Sequence, residues 1–387
     1  MLRLWIFIAV ATIAVSCQSK KDGRITIGEK GTIRAIAVSA TSDSVTKFAS
    51  KELQSYLRSI TGVELPIEDV SSENCIQFVQ LDKDSSIKWD GFKIAAADEK
   101  IILSANEPRA LLYAAYTLLE KIGCSFMYPG KNEEVVPHKK LVEVPAQTKT
   151  YNPLLEHRGL APYGLQASSV EDGRNFIDWM AKNKLNLILV SENRPSDSDG
   201  PANGSIWKEV TKELLPELQR RGFVIEMSEH CMPVFFPRSL FKEHPTWFAL
   251  NNGKRELGPP PYSGQMCYGN KDAVEYYASA VASYAKDHPE FHIIGTWPLD
   301  GGEYCECEKC SDPQTVFRAA MRVAEKVKAV RPDMVVEHLA YKVQTWQPPA
   351  MEKIPDNMSI LWTSDEGVRE PLVKQWVQKS ENAGGVY

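Results

Sequence analysis

The chain has 387 residues, with 45 Lys and Arg against 50 Asp and Glu, giving a formal charge of −5. Hydrophobic residues make up 43% and charged residues 25%, which excludes a disordered polymer with too little apolar surface to bury. No basic excess or Lys/Arg block is present to neutralise phosphates, so no nucleic-acid partner is expected, and eight cysteines are too few for a disulfide scaffold.

The N-terminus reads as an address. Arg3 precedes the apolar run 4–15, an export-signal pattern too short for a membrane span. It ends in Ala14-Val15-Ser16-Cys17. Small residues before a cysteine resemble the bacterial lipobox, in which the cysteine is lipidated and becomes the mature N-terminus. Residues 1–22 are then a lipoprotein signal and polar tether, and the chain is an exported, membrane-anchored protein of the periplasm or cell surface. The alternative is a soluble secreted protein in which Cys17 is incidental.

Residues 23–145 read as a compact α+β domain. Strands are expected over 33–38, 64–68 and 76–79, with a hairpin of 91–96 and 101–105 across the polar turn 97–100. One helix is expected over 46–60, ended by Gly62. A second has Pro108 in its first turn and Gly123 as its stop. Prolines at 137, 145 and 153 mark a connector, placed at 146–156.

After residue 154 strands and helices alternate. Strands are expected over 154–160, 185–190, 223–227, 293–298, 335–339 and 359–362, and helices over 171–182, 207–221, 273–287, 315–330 and 370–380. Alternation of this kind implies βαβ units on a parallel sheet. No G-x-G-x-x-G follows any strand, so a dinucleotide fold lacks its fingerprint. The fold class is therefore α/β: the small accessory domain, then an incomplete (β/α)8 TIM-type barrel over 157–387, expected to be truncated near strand seven.

Two resemblances enter on specific stretches. The segment 103–123, from Leu103-Ser104-Ala105-Asn106-Glu107-Pro108-Arg109 to Gly123, closes on Tyr128-Pro129-Gly130. It resembles the N-terminal accessory domain of family-67 α-glucuronidases and family-20 β-hexosaminidases, which precedes a (β/α)8 catalytic barrel in those enzymes. The stretches 244–250 (HPTWFAL), 264–270 (GQMCYGN) and 297–310 (WPLDGGEYCECEKC) resemble the bacterial family called domain of unknown function 4838. The resemblance implies a glycoside hydrolase or a non-catalytic glycan-binding protein on a hydrolase-like scaffold.

In such barrels the active site lies at the C-terminal ends of the strands, where glycoside hydrolysis needs paired carboxylates. Asp300 and Glu303, after the fourth strand, are the catalytic candidates. The resemblance implies adjacent Asp and Glu at this point in family-20 enzymes, the Glu being the general acid. Here the two are three positions apart, and Asp300 could instead cap its own turn. His157, Arg158, Glu229, His230, Trp247, Trp297, Trp362 and Asp365 are the candidates for binding a glycan. Other carboxylates at strand ends are Glu156, Glu226, Glu337 and Glu366. The loop 229–270 carries Phe235, Phe236, Trp247, Phe248, Tyr262 and Tyr268, and reads either as a lid with stacking surfaces or as a loop with its own small core. No cofactor is required for this chemistry. Cys305, Cys307 and Cys310 are close enough in sequence to hold a structural zinc, with a fourth ligand from Cys231, Cys267 or a histidine. Disulfides and reduced thiols are the competing readings.

Overall fold

The computed structural model describes residues 25–69, 73–160, 169–191, 207–230, 232–259, 263–300, 303–350, 353–363 and 370–380. Cys17, Cys231, Tyr262, Asp365 and Glu366 lie outside the described residues. No helix among those described is long and apolar enough to cross a membrane.

The accessory domain runs β1 (Ile25–Gly28), β2 (Ala35–Ala37), α1 (Ser44–Thr61), β3 (Ile67–Glu68), β4 (Cys75–Gln80), β5 (Phe92–Ala97), β6 (Lys100–Ala105), α2 (Pro108–Ile122), β7 (Ser125–Phe126), β8 (Glu134–Val135), β9 (Leu141–Val144) and β10 (Gln147–Tyr151). Six of these strands form one mixed sheet in the order β10-β5-β6-β4-β2-β3. The expected hairpin is β5–β6; Asp98 and Glu99 both take positive φ, 48° and 59°, as a tight two-residue turn demands. Asp43 caps α1 by accepting from the amides of Val45 and Thr46, and Gly62 ends the helix at φ 75°. Leu53, Tyr56, Leu57 and Ile60 fall three or four apart and are buried together. Residues 147–151, expected in the connector, instead form the edge strand β10, antiparallel to β5. The backbone groups of an edge strand need only one partner, so a polar sequence (Gln-Thr-Lys-Thr-Tyr) can occupy it.

The second domain runs β11 (Gly159–Leu160), α3 (Val170–Lys182), β12 (Leu187–Val190), α4 (Trp207–Gln219), β13 (Val224–Met227), α5 (Lys271–Asp287), β14 (Ile293–Gly295), α6 (Thr315–Val330), β15 (Val335–Ala340), β16 (Met358–Trp362) and α7 (Glu370–Lys379). The six strands are all parallel and lie side by side in chain order, the order of consecutive strands in a (β/α)8 barrel. Every residue of β12 and β16 is buried, as parallel strands covered on both faces should be. Strand β11 is only two residues long, where seven were expected. It begins after Arg158, so Glu156, His157 and Arg158 precede the sheet and sit at its N-terminal end.

Those residues build the junction between the domains. Asp90, 2% exposed, receives Arg158 Nη2 and Asn186 Nδ2, each at 2.8 Å, with Arg109 Nε at 3.3 Å. Arg158 spends its other donors on the carbonyls of Lys184, Leu155 and Glu156. Tyr113 donates to the carbonyl of Leu185 at 3.0 Å and Arg109 to that of Gly222 at 3.0 Å. A second junction centres on Lys182, 1% exposed, which pairs with Glu134 at 2.6 Å and with Asp178.

Candidate active site

Strand β14 ends at Gly295, and the chain continues through Thr296, Trp297, Pro298 and Leu299 to Asp300. Gly295 is needed there: a Cβ would come within 2.2 Å of Ser228 Cβ. Buried Gln265, from the loop before α5, holds the turn by its backbone. Its Nε2 donates to the Leu299 carbonyl at 3.3 Å, and its Oε1 accepts from the Leu299 amide at 3.4 Å. Asp300 is thereby presented, 44% exposed, to a cleft of about 840 Å³ at the C-terminal ends of the strands. His230, Glu303, Tyr304, Glu306, Tyr341 and Lys342 are among its lining residues. A lobe of about 450 Å³ continues it, sharing Asn252 and Glu303.

His230 stands beside Asp300. Its Nδ1 faces the Pro298 carbonyl at 2.6 Å and must donate to it. This leaves Nε2 directed at Asp300, 3.7 Å from Oδ1. The imidazole ring lies edge-on to Trp297 at 5.4 Å. Burial pushes the Tyr304 phenol well above its usual range, and the nearby Asp300 carboxylate adds to this, so Tyr304 is a neutral hydrogen-bond donor on the same wall. The arrangement offers a half-exposed carboxylate, an imidazole and a phenol within one cleft, the groups needed to move protons at a polar substrate.

Beneath this layer, Trp297 Nε1 donates to Glu337 at 2.9 Å. Glu337 hydrogen-bonds to Glu226, which also accepts from Ser228 at 2.5 Å. Two carboxyl groups that bond to each other share a proton. Burial raises both acids, and the charge of one disfavours ionisation of the other, so the pair holds a proton between its two carboxyl groups. Neighbouring His338 is fully buried against Phe317 and Trp376, and burial lowers its pKa to about 4.

Of the residues expected to face a substrate, Asp300, Glu303 and His230 line the cleft, and Trp297 supports it from below. Glu229 is buried, at φ 74°. Trp362 is buried at the end of β16. Trp247 stacks on His244 at 4.0 Å and packs against Tyr276 at 5.5 Å, while Phe236 lies 4.9 Å from Phe248. The loop's described aromatics thus join the main core through α5, and Trp247 is not among the residues lining the cleft. His157 and Arg158 are likewise not brought there, because they lie at the opposite end of the sheet. Tyr304, Tyr341, Gln265 and Lys342 went unnoticed in the sequence. The signals were the stretches 264–270 and 297–310, which contain Gln265 and Tyr304; Tyr341 and Lys342 carried none. Cys305, Cys307 and Cys310 stand behind the cleft wall.

The sequence matches the family described as "Domain of unknown function (DUF4838)" over residues 128–381. The chain belongs to this family. As a DUF4838 protein it also carries, over residues 17–125, a match to glycosyl hydrolase family 20, domain 2. A comparison with curated proteins finds no match. Among solved structures the DUF4838 chain is similar to a β-N-acetylhexosaminidase from Bacteroides fragilis NCTC 9343, at 16% identity and TM-score 0.59, covering 94% of this chain and 73% of that one. A GH20 exo-β-N-acetylglucosaminidase from Vibrio harveyi, in complex with N-acetylglucosamine, gives 14%, 0.53, 92% and 57%. A family GH115 4-O-methyl-α-glucuronidase with specificity for decorated arabinogalactans gives 13%, 0.61, 95% and 49%. The likeness is one of fold: an accessory domain followed by the parallel strands of a glycoside-hydrolase-like scaffold. The chain spans little more than half of the Vibrio enzyme and about half of the glucuronidase.

Proposed function

We propose that this protein hydrolyses glycosidic bonds in a complex glycan, with Asp300 and Glu303 supplying the carboxylate acid/base chemistry. The observation that carries this reading is the placement of Asp300 on the turn after β14, half-exposed in the cleft and beside His230 Nε2. In this reading Asp300 is the proton-transferring acid and His230 orients it, while Glu303, which also lines the cleft, acts on water or on the substrate from the other side of the scissile bond. The glycans named for the similar solved structures support the substrate class. A general acid contributes about 10²–10⁴-fold to rate. Release of sugars from a broad glycan panel should therefore fall at least about 100-fold in Asp300→Asn. Full activity in that variant would move the chemistry elsewhere.

The three-residue spacing of Asp300 and Glu303 favours a second reading, a non-catalytic glycan-binding protein. Binding to a glycan array without release from any of its members would establish it. The proposal includes export, with residues 1–22 as signal and tether and Cys17 as the lipidated residue. Cys17→Ser should then shift the protein from the membrane fraction to the soluble fraction. An unchanged distribution would reject the lipid anchor.

A further inference from the structure

We propose that Cys267, Cys305, Cys307 and Cys310 bind one Zn²⁺ as a closed structural site that clips together two walls of the cleft. Cys267 Sγ lies 3.5 Å from Cys305 Sγ, 3.7 Å from Cys307 Sγ and 3.7 Å from Cys310 Sγ. All four sulfurs fall within 4.8 Å of one another. A tetrahedral zinc with Zn–S bonds of about 2.3 Å requires sulfur–sulfur edges of about 3.8 Å. A disulfide requires about 2.05 Å and pairs sulfurs two by two, whereas one sulfur here is nearly equidistant from three others. Thiolates favour zinc over the hard ions magnesium, calcium and manganese.

The surroundings suit a metal thiolate. The Gly269 amide donates to Cys310 Sγ at 3.1 Å and the Leu250 amide to Cys305 Sγ at 3.3 Å. Arg255 Nη1 stands 4.0 Å from Cys305 Sγ and offsets part of the negative charge that four thiolates leave on a divalent ion. Gly269 permits the approach of the two segments: a Cβ there would meet Lys309 Cβ at 2.6 Å and Cys310 Sγ at 3.1 Å. With four protein sulfurs, no coordination position remains open for substrate, so the role is structural.

Cys267 belongs to the long loop before α5, and the other three follow the Asp300 turn. Between them Glu306 N donates to the Leu250 carbonyl at 2.8 Å, and Asn252 N donates to Glu306 Oε2 at 2.8 Å. Asn252 and Glu306 line the cleft from opposite segments. The site therefore braces the cleft and stands whether or not the protein is an enzyme.

The test is elemental analysis of the full chain purified without chelator, with peptide mapping of its thiols. One zinc per chain is expected, with Cys267, Cys305, Cys307 and Cys310 recovered as free thiols after denaturation in chelator. Cobalt exchanged into the native protein should show the absorption of tetrahedral thiolate coordination. Cys231→Ser should retain its zinc, while Cys267→Ser should lose at least about tenfold in zinc affinity. Disulfides among the four cysteines, a metal-free protein, iron in place of zinc, or loss of zinc from Cys231→Ser would each overturn the assignment. The measurements on the unaltered chain decide the question even if Cys267→Ser does not fold.

Discussion

Glu337 is buried on β15 with Trp297 Nε1 donating to one oxygen and Glu226 hydrogen-bonded beside it. An unfolded glutamate releases its proton near pH 4.5, whereas folding keeps a proton within the buried Glu226–Glu337 pair. Above that pH the unfolded state binds fewer protons than the folded one. The pair's contribution to stability therefore falls as pH rises from about 4.5 towards neutrality. Glu337→Gln retains an acceptor for Trp297 and a donor for Glu226 without titrating. Urea denaturation across this range should show a flatter pH dependence for the variant, and matching slopes would refute the shared proton. Glu337→Leu would remove the acceptor of the half-buried indole N–H and cost about 1 kcal/mol more.

At the scale of elements, the site is made by backbone approach as much as by side chains. Gly295 ends β14 and lets Ser228 of the neighbouring segment sit against it, so Trp297 reaches Glu337 and the chain runs on to Asp300 in the cleft. The loop before α5 serves the site through Gln265, which grips both backbone groups of Leu299. Phe236 and Trp247 of the same loop pack instead on Tyr276 of α5. A loop rich in Phe and Trp need not be a stacking platform.

The whole molecule depends on a polar junction between its domains. Asp90 gathers two arginines and an asparagine at a site where its carboxylate is wholly buried. Removing one partner of a buried ion network leaves the others desolvated and uncompensated. Asp90→Ala should therefore lower the unfolding free energy of the intact chain by about 3–5 kcal/mol. A loss below roughly 1 kcal/mol in denaturant titration would show that solvent reaches Arg109 and Arg158 more freely than their burial implies. The junction also explains the position of Arg158: its guanidinium is committed to docking the accessory domain.

Local patterning was sufficient for the main helices and for the order of the parallel strands. Runs of buried Leu, Ile and Val in β12, the glycine stops of α1 and α2, the turn at Asp98 and Glu99, and the strand–helix alternation all follow from forces acting within a few residues of each other. Asp300 and Glu303 were legible as cleft residues because they directly follow a strand of a parallel sheet, whose C-terminal end always opens on the same side. The two-residue length of β11, the retreat of Trp247 into its loop and the pairing of Glu226 with Glu337 were not legible, since each depends on a partner distant in sequence. The cysteines divide in the same way. Cys305, Cys307 and Cys310 are near one another by chain connectivity alone. Cys267 joins them only because the long loop folds back across the end of β14, and loop closure over that separation is decided by packing and hydrogen bonds that no local pattern encodes.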